Sequence, residues 1–332
     1  MNARVAVLGA GPAGLSAGLW LKRLGLRPIL LERGEAPGGL VNLNFLENRW
    51  VLGHVHVTGQ ELGRRFCAHA RAEGVEIRLR ARAVALLPEA SGAAQIVLES
   101  GEMFCCAALV IATGTRYRGL EILGEAQDGA IAASGRVALG PYAFLDTAAQ
   151  AGRHVLIVGG GDNACENARL LLDVGARVTL VARSRIRARR QMLHAILDNP
   201  ACVIHEESRV IGLALARDTL ALKLALAGSE QTLLAERLHI LAGYTPNTDF
   251  LADFLPAAWQ ALLARDEAGY LRTDSWGRTG IPGVYAIGDV ADPEFPSIVS
   301  AIAQGAKTAK ALEHDLRDAP LFPCGLDFPA NP

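Results

Sequence analysis

Apolar residues fall in short dense runs closed by glycine, and the same order of runs occurs twice. Residues 4–8 are nearly continuous apolar, as a strand buried on both faces is. They run into Gly9-Ala10-Gly11-Pro12-Ala13-Gly14, and helical apolar spacing then continues through Leu24. A second apolar run, 27–31, ends at Glu32 and Arg33. The order begins again 150 residues later, with Gly159 standing where Gly9 stood. Residues 154–158 predict a strand, Gly159-Gly160-Gly161-Asp162-Asn163-Ala164 a turn, and the residues through Val174 a helix. The next strand, 177–181, ends at Ala182 and Arg183. Each unit is strand, glycine turn, helix and strand, the start of a parallel sheet with right-handed crossovers.

The remaining pattern keeps the parallel. After the first unit come a helix over 60–74, strands within 75–87 and 94–99, and an apolar run 104–112 with the look of a central strand, leading into Thr113-Gly114. After the second come a helix over 185–198, strands within 202–215 and 219–226, and 238–241 leading into Ala242-Gly243. Beyond Gly243 the pattern predicts a strand at 284–287 and a final helix over 296–316. The fold class is α/β, with two Rossmann-like dinucleotide-binding domains, the second inserted into the first. The expected bounds are 1–116 and 245–332 for the outer domain and 117–244 for the inserted one, with hinges near 115–118 and 243–247.

Composition narrows the function classes. The 332 residues are 51% hydrophobic and 20% charged with a formal net charge of -1, so no bulk field draws nucleic acid or an anionic membrane. No apolar run reaches the roughly 18–20 residues of a membrane span. The stretch 5–21 is interrupted by four glycines and lacks the basic start and cleavage site of a signal peptide, so a cytoplasmic location is expected. Six cysteines, Cys67, Cys105, Cys106, Cys165, Cys202 and Cys324, form neither C-x-x-C nor a zinc-like spacing. Buried thiols and no metal are the expectation. Cys105 and Cys106 would point to opposite faces of a strand.

The glycine turns carry the chemistry. Gly9 permits the tight turn, Gly11 lets backbone approach a pyrophosphate, and Gly14 allows close helix–strand packing. The helix N-terminus offers free N–H groups and a positive dipole end. Glu32, 18 residues past Gly14, stands where a carboxylate accepts ribose hydroxyls. The second turn repeats this with Gly159, Gly161, Asp162, Asn163 and Ala164, but its second strand ends in Arg183, Arg185, Arg187, Arg189 and Arg190. Guanidinium forks bind a 2′-phosphate that a carboxylate would repel. Arg183 and Arg187 are the candidates, favouring NADPH over NADH; Arg185, Arg189 and Arg190 read as solvated or secondary.

These motifs resemble the thioredoxin-reductase-like family of flavoproteins along most of the chain. The resemblance rests on both glycine fingerprints, Pro37-Gly38-Gly39, the helix start at Thr58-Gly59 with Glu61-Leu62, and Ala112-Thr113-Gly114. It also rests on Gly243-x-x-Pro246-Asn247-Thr248 and Gly283-Val284-Tyr285-Ala286-Ile287-Gly288-Asp289. It implies that the outer domain binds FAD and the inserted one NAD(P)H. Pro12, Ala13, Gly39, Leu40, Ala112, Thr113, Gly114 and Gly288 then join the FAD site, and Asp289 holds the ribityl chain. Backbone N–H groups near Ser297, Ile298 and Val299 favour negative charge on the reduced flavin. The family's H-R-R-x-x-x-R motif is matched only at Arg183 and Arg187, with Val181 and Ala182 in its first two places.

Two departures matter. Thioredoxin reductases carry C-x-x-C before the second fingerprint, whereas residues 135–144 here contain no cysteine. Thiol–disulfide exchange needs an attacking thiolate and a resolving partner. The segment 40–53 also departs, and Asn42, Asn44 and Asn48 become candidates for the polar edge of the flavin ring. The resemblance therefore implies hydride transfer from NADPH to FAD and onward to an external acceptor, with no acid–base residue named. The acceptor would be ferredoxin or flavodoxin, as in the dithiol-free ferredoxin–NADP reductases. A low-molecular-weight disulfide or other small molecule is the alternative, and a non-catalytic FAD-binding sensor is the alternative of another class. A homodimer and an inserted domain that rotates about its hinges are expected from the family.

Lesser signals have rival readings. His54 and His56 would share a strand face and could bind metal, but have no third ligand in sequence. Cys165 lies at a helix start where a dipole lowers a thiol pKa, or packs against the sheet. Cys324 could be a lone redox thiol. Phe322 or Phe328 could cover the flavin or pack the tail. Arg78, Arg80 and Arg82 would share one strand face, as a solvated edge or a docking patch for an acidic protein.

Overall fold

The computed structural model describes residues 3–123, 129–226, 228–318 and 321–323. The chain divides into two compact units, 1–116 with 246–332, and 117–245.

The first unit is built on a five-stranded parallel sheet in the order Val284–Ala286, Ala108–Ile111, Arg4–Leu8, Arg27–Leu31, Glu76–Arg78. The apolar alternation of these strands separates two cores. Val5, Val7, Leu30 and Val110 pack with Leu15, Leu21 and Leu312 from helices Pro12–Arg23 and Ile298–Asp318. Ala6, Leu8, Ile29, Leu109 and Ile111 face Leu86, Ile96, Phe254 and Trp259. Leu86 and Ile96 come from an antiparallel meander of Ala83–Pro88, Ala94–Leu98 and Met103–Cys106.

The second unit repeats the plan. Its parallel sheet runs Val137–Leu139, Arg237–Ile240, His154–Val158, Arg177–Val181, Cys202–His205. Val155, Ile157, Val178 and Leu180 pack on helix Asp162–Asp173, while Leu156, Leu238 and Ile240 face the meander residues Leu220, Leu222 and Leu224. The meander strands are Arg209–Ala216, Thr219–Leu226 and Ser229–Ala235.

Several local expectations are corrected. The run 104–112 is two strands of different sheets, broken at Ala107, because Cys105 faces solvent while Leu109 to Ile111 are buried on both faces. Helix 185–198 begins only at Arg190, since residues 183–189 form a loop. The strand Ser229–Ala235 had no visible signal, as four of its seven residues are polar and it is an edge strand. Arg78, Arg80 and Arg82 do not share a face. The strand ends at Arg78, and Arg80 turns the chain with φ +52°. Arg78 pairs with Glu76 and Glu102, Arg80 with Glu35 and Arg82 with Glu99, so no uncompensated basic patch exists there. His54 and His56 lie in a loop rather than a strand; His54 meets Phe66 edge-on and His56 pairs with Glu47 at 3.0 Å.

Phe322 is buried in the first unit and stacks on Trp259, with centroids 5.6 Å apart. It packs the core rather than covering a cofactor. Phe328 and Cys324 lie outside the described residues. Among the described residues no helix is long and apolar enough to cross a membrane.

Replacing Phe322 by Ala leaves a cavity against Trp259. The expected cost is about 3–5 kcal/mol of stability in denaturant unfolding. A loss below about 1 kcal/mol would show that the tail does not anchor this core.

Candidate functional site: two glycine cradles

In the first cradle three glycines do three different things. A methyl group at Gly9 (φ +102°) would lie 2.4 Å from the Ala112 carbonyl oxygen. One at Gly14 would lie 2.0 Å from the Gly9 carbonyl oxygen, so helix Pro12–Arg23 rests on the strand end with no room for a side chain. One at Gly11 would meet nothing within 4 Å. That open space is where a pyrophosphate can approach backbone. Leu15 donates the first helical bond to Gly11, leaving the amides of Ala13 and Gly14 outside the helix ladder. Pro12 at the first position has no amide to leave unsatisfied.

The other strand ends close around this turn. Glu32 accepts from the amides of Ala10 at 3.1 Å and Gly34 at 2.8 Å, which holds its carboxylate beside the turn. Arg33 is exposed, without a side-chain partner among the described residues. Gly39 (φ +62°) approaches Gly11, and Leu40 follows it in a short turn, Gly39–Leu43. Gly288 (φ +71°) packs against Ala13. Ala112 donates its amide to Leu8 O, and Thr113 and Gly114 are held by Asn247, a residue not singled out for the site. The Thr113 hydroxyl donates to Asn247 O, Asn247 Nδ2 donates to Thr113 O, and the Asn247 amide donates to Gly114 O, each at 2.9 Å. Its signal was the Pro246-Asn247-Thr248 motif, which gives no hint of a partner 134 residues away.

Asp289 stands half-buried beyond Gly288 with no hydrogen-bond partner among the described residues. Burial, reinforced by Asp292, pushes its carboxyl up to about 6. Gln304 fastens this corner: it accepts from the Gly288 amide and donates to Asp292, both at 2.7 Å. Ser297 caps the final helix, its hydroxyl accepting from the Ser300 amide at 3.1 Å. The amides of Ile298 and Val299 are thereby left outside the helix ladder.

The asparagines after Gly39 are engaged locally. Asn42 donates to Pro37 O at 2.8 Å, Asn44 accepts from the Leu46 amide at 2.9 Å and Asn48 from the Trp50 amide at 3.0 Å. Asn48 is buried in a two-stranded ribbon, Glu47–Asn48 against Val57–Thr58, with its amide oxygen turned into its own loop.

The second cradle has the same geometry. A methyl group at Gly159 would lie 2.5 Å from Leu241 O, and one at Gly161 would meet nothing within 4 Å. Ala164, fully buried, donates to Gly161 O, which leaves the amides of Asp162 and Asn163 outside the ladder. The side chain of Asp162 is engaged by Arg189 at 2.8 Å. Asn163 donates to the Tyr244 hydroxyl at 3.4 Å, and Tyr117 packs on Tyr244 with centroids 5.4 Å apart. Arg183 and Arg187 are exposed with no side-chain partner among the described residues. The first cradle is thus flanked by a fixed carboxylate and the second by open guanidiniums.

The described thiols are not poised to react. Burial pushes Cys106 up to about 12 and Cys165 and Cys202 up to about 11. Burial also raises Cys67, while Cys105 is raised by its hydrogen bond to Glu89. The helix dipole does not make Cys165 a thiolate, because its side chain packs fully buried among Ile157, Ala168 and Leu180. Where the family places C-x-x-C, Gly140 accepts from Nε2 of the buried His239 at 2.8 Å, and Tyr142 follows. Burial lowers His239 to about 4, so it stays neutral. Among the described residues no group of three His, Cys, Asp or Glu is placed to hold a metal.

Gly11→Ala and Gly14→Ala should separate ligand space from packing. Gly14→Ala is expected to cost about 1–3 kcal/mol of stability. Gly11→Ala should leave unfolding of the empty protein nearly unchanged while obstructing a dinucleotide. Equal destabilisation by both would contradict this assignment.

Known proteins bear out the family resemblance. A family model described as pyridine nucleotide-disulphide oxidoreductase matches residues 3–305. The chain is 30% identical to a thioredoxin reductase of Listeria innocua over 325 residues, covering 95% of each chain. It is 27% identical to that of Bacillus subtilis over 322 residues, covering 93% of each. Among solved structures, thioredoxin reductase from Lactococcus lactis superposes with a TM-score of 0.80 at 26% identity, covering 95% of this chain and 99% of that one. The bacillithiol disulfide reductase of Bacillus cereus shares the fold, with a TM-score of 0.76 at 19% identity and coverage of 95% and 99%.

Proposed function

The chain belongs to the pyridine nucleotide-disulphide oxidoreductase family, and from that premise we propose that it is an FAD-dependent NADPH oxidoreductase that serves an external acceptor without an internal dithiol. The observation that carries this reading is the contrast between two like cradles, one flanked by Glu32 and the other by unpaired arginines. The first unit would hold FAD and the second NADPH. When bound, FAD supplies the two-electron acceptor for hydride from NADPH and the donor for the outside oxidant.

The chain's own residues would position and tune. Amides of Ala13 and Gly14 would meet one pyrophosphate and those of Asp162 and Asn163 the other. Glu32 would accept from ribose hydroxyls, a role its two backbone bonds preorganise. Asp289 would accept from the ribityl hydroxyls, which supply the partners that it lacks among the described residues. The amides of Ile298 and Val299, at the positive end of a 21-residue helix, would favour negative charge on the group they face. Arg183 and Arg187 would bind the 2′-phosphate.

Without C-x-x-C, and with the described thiols held protonated, electrons would leave for the acceptor directly. We assign the acceptor to the ferredoxin or flavodoxin type. Arg78, Arg80 and Arg82 supply no docking patch for it, since each is already ion-paired. The test is an acceptor screen with enzyme and NADPH. Reduction of ferredoxin or flavodoxin well above the rate with quinones and small disulfides is expected. Fast turnover of a small disulfide, with none of either protein, would overturn the assignment.

Anaerobic bleaching of the flavin band by NADPH should be half-maximal at a concentration at least about tenfold below that for NADH. The double variant R183Q/R187Q should lose most of that preference. Equal half-saturation in the wild type would refute the arginine assignment.

Asp289 gives a pH signature. Its carboxyl is raised in the folded chain, so this group stabilises the flavin-free protein below its unfolded value near 3.8, an effect lost as pH rises through about 6. Ligand hydroxyls donate to the ionised carboxylate, so FAD uptake should release protons between about pH 4 and 6. D289N should abolish that release and weaken FAD retention. Identical proton release by D289N would remove Asp289 from the site.

A further inference from the structure

The arginine stretch after the second fingerprint strand is a fastened loop. Ile186 donates its amide to Glu206 Oε1 at 2.6 Å, and Arg187 donates its amide to Gly160 O at 2.8 Å. Arg189 donates its amide to Asp162 Oδ1 and its Nε to Asp162 Oδ2, both at 2.8 Å. One carboxylate therefore takes both the backbone and the side chain of Arg189. Gly160 and Asp162 belong to the glycine cradle itself, so the loop is tied directly to the turn that it flanks.

The charges are divided in a consistent way. Asp162 occupies the first turn of helix Asp162–Asp173, where a carboxylate suits the dipole but would repel a phosphate arriving at the same amides. Arg189 compensates it. The side chains of the four other arginines of the stretch, Arg183, Arg185, Arg187 and Arg190, have no ion-pair partner among the described residues and stay exposed. One arginine is used to anchor, and the rest remain open. An anchored loop loses less conformational freedom on binding than a free one, which raises affinity with no added contact. As an exposed pair, Arg189 and Asp162 contribute little to global stability.

We infer that Arg189 and Asp162 are a clamp that sets coenzyme preference. Arg189 is a positioning residue: it pins the far end of the loop, just past Arg187, so that the loop presents Arg183 and Arg187 where the 2′-phosphate of NADPH would lie, and it binds no coenzyme atom. This rests on the NADPH reading given above. The clamp acts on the 2′-phosphate alone, because NADH carries a hydroxyl at that place and needs no guanidinium there.

The test is calorimetric titration of the purified flavoenzyme with NADP+ and with NAD+, for wild type, R189Q and R190Q. R190Q removes the same charge from an unclamped neighbour. R189Q should weaken NADP+ on the order of fivefold and NAD+ less than about twofold, with the melting temperature nearly unchanged. R190Q should weaken NADP+ less than about twofold. In stopped flow, R189Q should shift the NADPH concentration giving half-maximal bleaching and leave the limiting rate alone. Equal effects of R189Q and R190Q on NADP+ would show bulk charge rather than a clamp, and overturn the proposal. Equal losses for NADP+ and NAD+ would show a disturbed cradle and also overturn it. If the wild type prefers NADP+ and R189Q binds both coenzymes unchanged, the clamp fails alone. If the wild type binds NAD+ as tightly as NADP+, the coenzyme reading fails and the clamp with it.

Discussion

The contact that everything else depends on is the seat of a helix on the end of a strand with no side chain between them. A methyl group at Gly14 would fall 2.0 Å from the carbonyl oxygen of Gly9. That approach aims the free amides of Ala13 and Gly14 at the open space above Gly11. Parallel pairing ends Arg4–Leu8, Arg27–Leu31 and Ala108–Ile111 at matching registers, with Leu8 opposite both Leu31 and Ile111. Glu32 and Ala112 therefore leave the sheet beside Gly9. A parallel sheet places such crevices at the carboxyl ends of its strands. The second unit repeats the tight turn at Gly159, with Ala164 in the place of Gly14, and carries arginines instead of a carboxylate after its second strand.

Much of this was legible because it is local. The apolar runs 4–8, 27–31, 154–158 and 177–181 coincide with strands, and each glycine has a role its spacing announced. What was not legible depends on distant partners. Asn247 holds the turn at Thr113 and Gly114, and Gln304 holds Gly288, by hydrogen bonds that no periodicity encodes. The arginines at 78, 80 and 82 looked like one face because alternation was assumed to continue; a residue at φ +52° ends it. Residues 185–189 read as the start of the helix over 185–198, since arginine is a good helix former. Their amides bond instead to Glu206, Gly160 and Asp162.

The same division separates binding from chemistry. Both cradles are assembled from backbone, so almost any dinucleotide pyrophosphate would suit them; on the proposed reading, side chains at the strand ends would decide between a ribose hydroxyl and a 2′-phosphate. Nothing in either cradle supplies a nucleophile. The described thiols are protonated by burial or by Glu89, and the turn at Gly140, pinned to a neutral buried histidine, carries Tyr142 rather than a thiol. On the proposed reading, a chain arranged this way would relay electrons through its bound groups and not through the described thiols.

An electron count tests that claim most directly. Anaerobic titration of the purified flavoenzyme with dithionite, followed by absorbance, should reach its end point at two electrons per chain, with free thiols unchanged before and after. An end point of four electrons per chain, with two new thiols exposed on reduction, would reveal a redox-active sulfur pair and contradict the account.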